Sequence, residues 1–500
     1  MIHILLKKII RFVTIAVAFI IMSHNINAQY NGAEHYFDTD INNHIGMQWN
    51  NVSMIYFQPT VSFTDVSVGY KTFESGKYHI VQTGDLDNQF RFNATSHFRN
   101  KKSIYFGNAI YNNGTQHNVN WNSVNDYQKV APYIVADTIG GNFNYELYTF
   151  GGGFARKYGK ITFGLKGKYT AKINYRTIDP RPKNTVSDLT LSAGVSSTIK
   201  HKYIVGLYID YNNYDQDNKI SNYREDNKNS VIYMRGFGLS ELYFTGTESN
   251  SSNRYRIKGL NAGINLLPVK DKGVVFNASF SSNNLNLENN YAYRTFAELR
   301  TTIFRSELGY KMPKGSVRLS SEYKTGTGKE FIYLGVDLIS KQDMLDKSSL
   351  LADLSYQYIK RGSKLDYHIT TTVAYSNESA EFKDPVAESN ITSISGEIQS
   401  GVIRRFKKSA LVTKLKLRYK SVTDSDLTTT NQAVKTANST MVIPNFNYLS
   451  ADMLVSSLSI RYDYNIKNNI NLFVKADLYA ESFKSIRSNR GLIFTIGCSL

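Results

Sequence analysis

The sequence predicts an all-β fold: a transmembrane antiparallel β-barrel of about eighteen strands (range about 14–20), with short periplasmic turns and long extracellular loops. Three observations carry this expectation. Apolar and polar residues alternate with period two over runs too long for a soluble strand. The connections between runs are short and long in turn. Proline, with eight residues in 500, avoids the runs, while Tyr (36) and Phe (27) abound.

In chain order, residues 1–28 read as a secretory signal peptide. Lys7, Lys8 and Arg11 precede the apolar core Phe12–Met22, and Ala28 stands before Gln29. The core is short for a spanning helix, which needs about 20 apolar residues. Removing this segment takes away three basic residues and no acidic one, so the net charge falls from +18 to +15. Residues 29–60 are then a periplasmic N-terminal segment and a possible plug, and residues 61–500 are the barrel.

Ile161 to Arg176 shows the alternation most clearly. Ile161, Phe163, Leu165, Tyr169 and Ile173 fall on one face; Lys166, Lys168, Lys172 and Arg176 fall on the other. A helix of period 3.6 would mix the two sets. Soluble strands average about 5–6 residues, whereas tilted membrane strands need about 9–11 to cross. Leu411–Lys420 repeats the pattern, with Lys414, Lys416 and Arg418 on the polar face. So do Leu365–Tyr375, Leu454–Tyr464, Ile470–Ala480 and the C-terminal run to Leu500, where Cys498 falls on the apolar face.

Short turns are expected at 99–102, 156–160, 200–202, 268–273, 311–315, 360–363, 404–408 and 466–469. Long loops such as 113–141, 215–253 and 423–450 are expected opposite. Eight turns join sixteen strands, and one strand at each end (61–71 and 491–500) makes eighteen, with both termini at the short-turn end. All eight prolines fall outside these strands, as a ladder requires. Two apolar stretches inside loops, Val231–Phe244 and Phe331–Ser340, read either as hairpins or as segments folded into the pore.

The mean hydropathy of -0.35 resembles that of a soluble chain. It also follows from strands that average an apolar lipid face with a polar lumen face. A Lys facing lipid at mid-bilayer costs about 2–4 kcal/mol, so the polar faces point inward. The pore-lining candidates are therefore Lys166, Lys168, Lys172, Arg176, Lys414, Lys416 and Arg418. They either bias the lumen toward anions or pair with inward carboxylates such as Asp366, Asp463 and Asp477. Tyr70, Tyr111, Tyr175, Tyr211 and Tyr375 suit interfacial girdles. Every short turn carries Lys or Arg, which reads as solubility or as contact with anionic lipid headgroups or an acidic envelope partner.

Nothing points to catalysis. No phosphate-loop, dinucleotide or zinc fingerprint appears, and one Cys forms no disulfide within the chain. His368 reads as lumen filling. No enzyme activity, cofactor, metal or nucleic-acid partner is expected; the expected surroundings are outer-membrane lipids and other envelope proteins.

The run Trp49-Asn50-Asn51-Val52-Ser53-Met54-Ile55-Tyr56 and the following Phe63-Thr64-Asp65-Val66-Ser67-Val68-Gly69-Tyr70 resemble an uncharacterised outer-membrane β-barrel family of Bacteroidota, DUF6850. The resemblance implies a barrel and no known substrate. The same segment is distantly similar to the start of fatty-acid-transporter-like barrels. Asn50-Asn51-Val52 stands where those carry an Asn-Pro-Ala hatch, without its Pro or Ala. The expected function is passive passage of small polar or anionic solutes. The alternatives are a non-transporting subunit of an outer-membrane complex and a hydrophobic-solute transporter.

Overall fold

The computed structural model describes residues 31–59, 62–223, 230–245, 251–289, 294–334, 337–430, 433, 435–467, 470–484 and 486–500. The expected signal peptide lies outside the described residues. Eighteen strands form one closed antiparallel sheet. The first are β1 (Phe63–Glu74), β2 (Leu86–Arg99), β3 (Ser103–Val119), β5 (Gly141–Tyr158), β6 (Ile161–Tyr175), β7 (Arg181–Ile199) and β8 (Tyr203–Ser221). Next come β11 (Ser251–Pro268), β12 (Gly273–Asn289), β13 (Arg294–Met312), β14 (Gly315–Leu334), β15 (Asp337–Lys360) and β16 (Leu365–Lys383). The last are β17 (Val386–Arg405), β18 (Ser409–Thr428), β19 (Met453–Lys467), β20 (Ile470–Phe483) and β21 (Ile486–Ser499). Three short strands, β4 (Ile134–Asp137), β9 (Ser230–Gly236) and β10 (Leu239–Thr245), form a separate sheet.

Every wall strand pairs with its sequence neighbour, and β21 pairs with β1 from Asp65↔Ser499 to Glu74↔Arg490. Closure leaves no edge, so each backbone group in the bilayer finds a ladder partner. All eight expected short turns connect strands at one end, where β1 also starts and β21 also ends. The outer face is apolar: Leu165, Leu207, Leu260, Phe280, Phe304, Leu354, Val373, Ile398 and Phe494 are exposed, alternating with inward polar residues. This apolar exterior places the protein in the outer membrane. Tyr70, Tyr111, Tyr175, Tyr211 and Tyr375 fall on it, and Cys498 does too, opposite Val66 and Leu472.

The other end departs from expectation. β15 has 24 residues and β17 and β18 have 20 each, against 12 in β1. At about 3.3 Å per residue a 20-residue strand spans about 66 Å, twice the roughly 30 Å hydrocarbon core. The wall therefore rises past the membrane, and the loops are shorter than drawn: 113–119, 215–221, 251–253 and 423–428 belong to strands. Phe331–Leu334 and Asp337–Ser340 likewise extend β14 and β15. Two prolines correct the sequence picture: Pro182 is the second residue of β7 and Pro268 the last of β11. A ladder tolerates proline at such ends.

Candidate functional site: the barrel lumen

The lumen is built from three layers of side chains. At the short-turn end lies the N-terminal segment. It consists of helix α1 (Asn31–His44) and two 3-10 turns, Met47–Asn50 and Val52–Phe57. Ala33 and Phe37 pack on inward Ile403, Ala410 and Val412; Ile45 and Met54 pack on Ile204, Leu267 and Val275. The wall is notched to admit it. Side chains of β6, β7 and β8 at Gly164, Gly194 and Gly206 would collide with Val52 and Asn51; a Cβ on Gly194 would lie 2.0 Å from Asn51 Oδ1. Gly309 makes the same room for Ile45.

Charge pairs fix the helix. Arg405 donates to both Glu34 oxygens at 2.7 and 3.1 Å and also to Asp366. Arg361 holds Asp38 at 2.6 Å and Asp366 at 3.0 Å, and Lys414 holds Asp40 at 3.1 Å. The Tyr36 ring lies 4.0 Å from the Lys414 ammonium, and Arg461 and Lys475 flank it. Arg461 itself is buried between Asp65 and Asp463, both at 2.8 Å, at the seam where β1 meets β21.

Further along, the His44 ring contacts Ser316 and Ser355 at 2.7 and 2.9 Å. The amides of Gly46 and Met47 donate to Glu307. Asn51 donates to Asn265 and to the Leu207 carbonyl. His35 stacks on Phe63 at 4.0 Å. Burial pushes His35 and His44 down to about 4; Arg461 and Lys414 near His35, and Arg318 near His44, act in the same direction. His368 is buried 3.9 Å from Asp40.

At the far end, residues 121–137, the β9–β10 hairpin and residues 435–449 form an internal cap. Trp121, Val130, Tyr133, Ile134, Tyr233 and Met234 pack on inward Val186, Tyr214, Tyr255, Leu287, Leu345 and Phe382. Of the two ambiguous apolar stretches, Val231–Phe244 thus folds inside. Arg176 is sealed in this layer: it pairs with buried Asp137 at 2.6 Å and donates to the Pro180 carbonyl. Lys172 pairs with Asp126 at 3.2 Å beneath the cap.

Between the two layers, Lys416 pairs with Glu397 at 2.9 Å. Lys166, Lys168 and Arg418 have no carboxylate within 4.0 Å among the described residues. β6 and β18 stand eight strands apart by the shorter way around the barrel, so these cations face each other across the lumen. The seven candidates thus divide: Arg176, Lys172, Lys414 and Lys416 are paired, three are not. Asp366, Asp463 and Asp477 do not pair with them; they hold Arg361 and Arg405, Arg461, and Lys475. Arg361 and Arg405 were legible only as turn cations. Their role in gripping α1 needed the fold.

The family model matches residues 52–500. The chain belongs to DUF6850, a family of unknown function. No curated protein matches the sequence. Among solved structures, the chain aligns at low identity with a copper transporter and with siderophore receptors. The copper transporter OprC has a TM-score of 0.43 at 8% identity, over 87% of this chain and 80% of that one. The ferric preacinetobactin receptor BauA from Acinetobacter baumannii gives 0.44 at 7%, over 88% and 81%. The siderophore receptor PirA from the same organism gives 0.39 at 10%, over 87% and 80%.

Proposed function

We propose that this DUF6850 protein is a passive outer-membrane channel for small polar or anionic solutes that rests closed. Residues 31–57 are its periplasmic plug and the β4–β9–β10 cap its outer gate. The observation that carries this reading is the middle layer, where Lys166, Lys168 and Arg418 face a common space from opposite walls with no carboxylate within ion-pair distance among the described residues. Inward cations without partners draw anions, whereas a barrel filled purely for stability would neutralise them. The polar lining here, including Thr170, Asn212 and Asn261, supports a polar cargo over a hydrophobic one.

Planar-bilayer recording tests the proposal. The mature chain should open rarely. A variant lacking residues 31–57 and with the 230–245 hairpin replaced by a short Gly-Ser linker should pass steady current, with a reversal potential displaced toward chloride in a KCl gradient. No current from correctly folded double variant would remove the channel reading. It would leave the barrel as a non-transporting subunit of an envelope complex, a role that filling at both ends also fits.

A further inference from the structure

The charge of the short-turn end is not accounted for by the lumen. The seven turns 100–102, 159–160, 200–202, 269–272, 313–314, 361–364 and 406–408 hold twelve Lys or Arg and a single acidic residue, Asp271. Lys101, Lys160, Lys200, Lys270, Lys364 and Lys408 are exposed, and none lies within 4.0 Å of a carboxylate among the described residues. Arg361 is the exception that turns inward to Asp38. Connections at the opposite end are mixed, with Asp85, Asp126, Asp137, Asp179, Asp384 and Asp452 among them. Like charges crowded on one rim repel one another, so the ring costs stability unless something anionic meets it.

Two further features say what meets it. The cations run most of the way round: seven of the eight short turns are basic, the exception being Asn468-Asn469 between β19 and β20, whereas a protein partner docks on one arc. The cations next to the turns also lie against outward aromatic rings. Arg156 sits 4.9 Å from the Tyr158 ring, Lys360 5.9 Å from Tyr367, and Arg404 5.1 Å from Phe406. Tyr158 on β5 and Phe406 just past the end of β17 are exposed, and β5 and β17 stand eight strands apart by the shorter way around the barrel, on opposite sides. A cation over an outward aromatic at the end of a membrane strand sits at headgroup depth. We propose that the basic rim binds anionic phospholipid headgroups of the inner leaflet, gathering an annulus of phosphodiester lipid around the periplasmic end.

The inference needs only the barrel and does not depend on transport. The test is the lipid retained by protein purified from detergent containing equimolar phosphatidylglycerol and phosphatidylcholine, counted by native mass spectrometry. Phosphatidylglycerol should be enriched about threefold at low salt and fall toward parity in 1 M NaCl, since screening shortens the reach of each charge. A variant with Gln at Lys101, Lys160, Lys200, Lys270, Lys364 and Lys408 should lose the enrichment. Two three-site variants, each covering half the ring, should each lose about half of it and guard against misfolding of the full set. A control with Gln at Lys77, Lys219 and Lys435, at the opposite end, should keep it. Equal retention of both lipids would overturn the proposal. So would loss confined to one half of the ring, which would show a single local lipid site in place of an annulus.

Discussion

The two ends of the lumen are closed by different balances of charge and apolar contact. At the short-turn end a 14-residue helix is held by carboxylates that face Arg361, Arg405 and Lys414. At the far end the cap is held by a continuous apolar cluster around Trp121, Tyr133, Tyr233 and Leu287. Charge pairs are released by protonation, by salt and by loss of one partner. Apolar burial yields only to disruption of packing. The lower closure is therefore the one that conditions can open while the wall stays intact.

The largest expected effect separates the two. Removing one partner of a buried charge cluster leaves the others uncompensated, at about 3–5 kcal/mol. Arg461→Met strands Asp65 and Asp463 at the seam. It should lower the unfolding temperature of the whole barrel and expose residues 31–57 to protease. Leu287→Ala, on the β12 wall against which the cap packs, should cost about 2–5 kcal/mol, with an effect that does not change with salt. Hydrogen exchange should localise it to residues 121–137 and 230–245. Exchange confined to the lower segment instead would merge the two closures into one unit.

Acid should loosen the lower end through two buried histidines. His35 and His44 are held down to about 4, against an ordinary value of 6.5. Docking is therefore at full strength above pH 6.5 and weakens as the pH falls through the window from 6.5 to 4. At pH 5 each histidine contributes a loss of up to about 2 kcal/mol, at about 1.4 kcal/mol per pH unit. Proteolysis of residues 31–57 should rise between pH 7 and pH 5, and the double variant His35→Phe, His44→Gln should flatten the profile. A profile unchanged by the double variant would place the proton sensitivity elsewhere.

A gentler wedge comes from the notch. Gly194→Ala drives a Cβ into Asn51 and should cost about 1–3 kcal/mol of docking, with the barrel's own melting unchanged. The smallest effect is expected in the middle layer. Lys416→Gln removes a half-exposed pair with Glu397, worth under about 1 kcal/mol, so stability should hold. On the proposed channel reading, only the chloride preference of the opened lumen should fall, which distinguishes a lining charge from a structural one.

Much of this architecture was legible in the sequence. All eight short turns, the even strand number, the inward contacts of Lys172, Arg176 and Lys414, and the outward Cys498 follow from alternation and turn chemistry. The loops were overdrawn because polar alternation continues where β15, β17 and β18 leave the membrane, and an aqueous strand carries no apolar face to mark it. Pro182 and Pro268 fell inside strands because ladder ends do not need every donor.

What the sequence determined by itself is the wall, because period-two patterning is local: each residue's face depends on its immediate neighbours and on the solvent to either side. What the tertiary structure decided is the content of the lumen. Arg461 meets Asp65 across 396 residues of chain, and Arg405 meets Glu34 across 371. Such meetings exist only once the ring has closed and set which inward side chains share a level. No local pattern encodes that distance, so the partners of the inward charges, and the two closures they hold, appear only in the folded barrel.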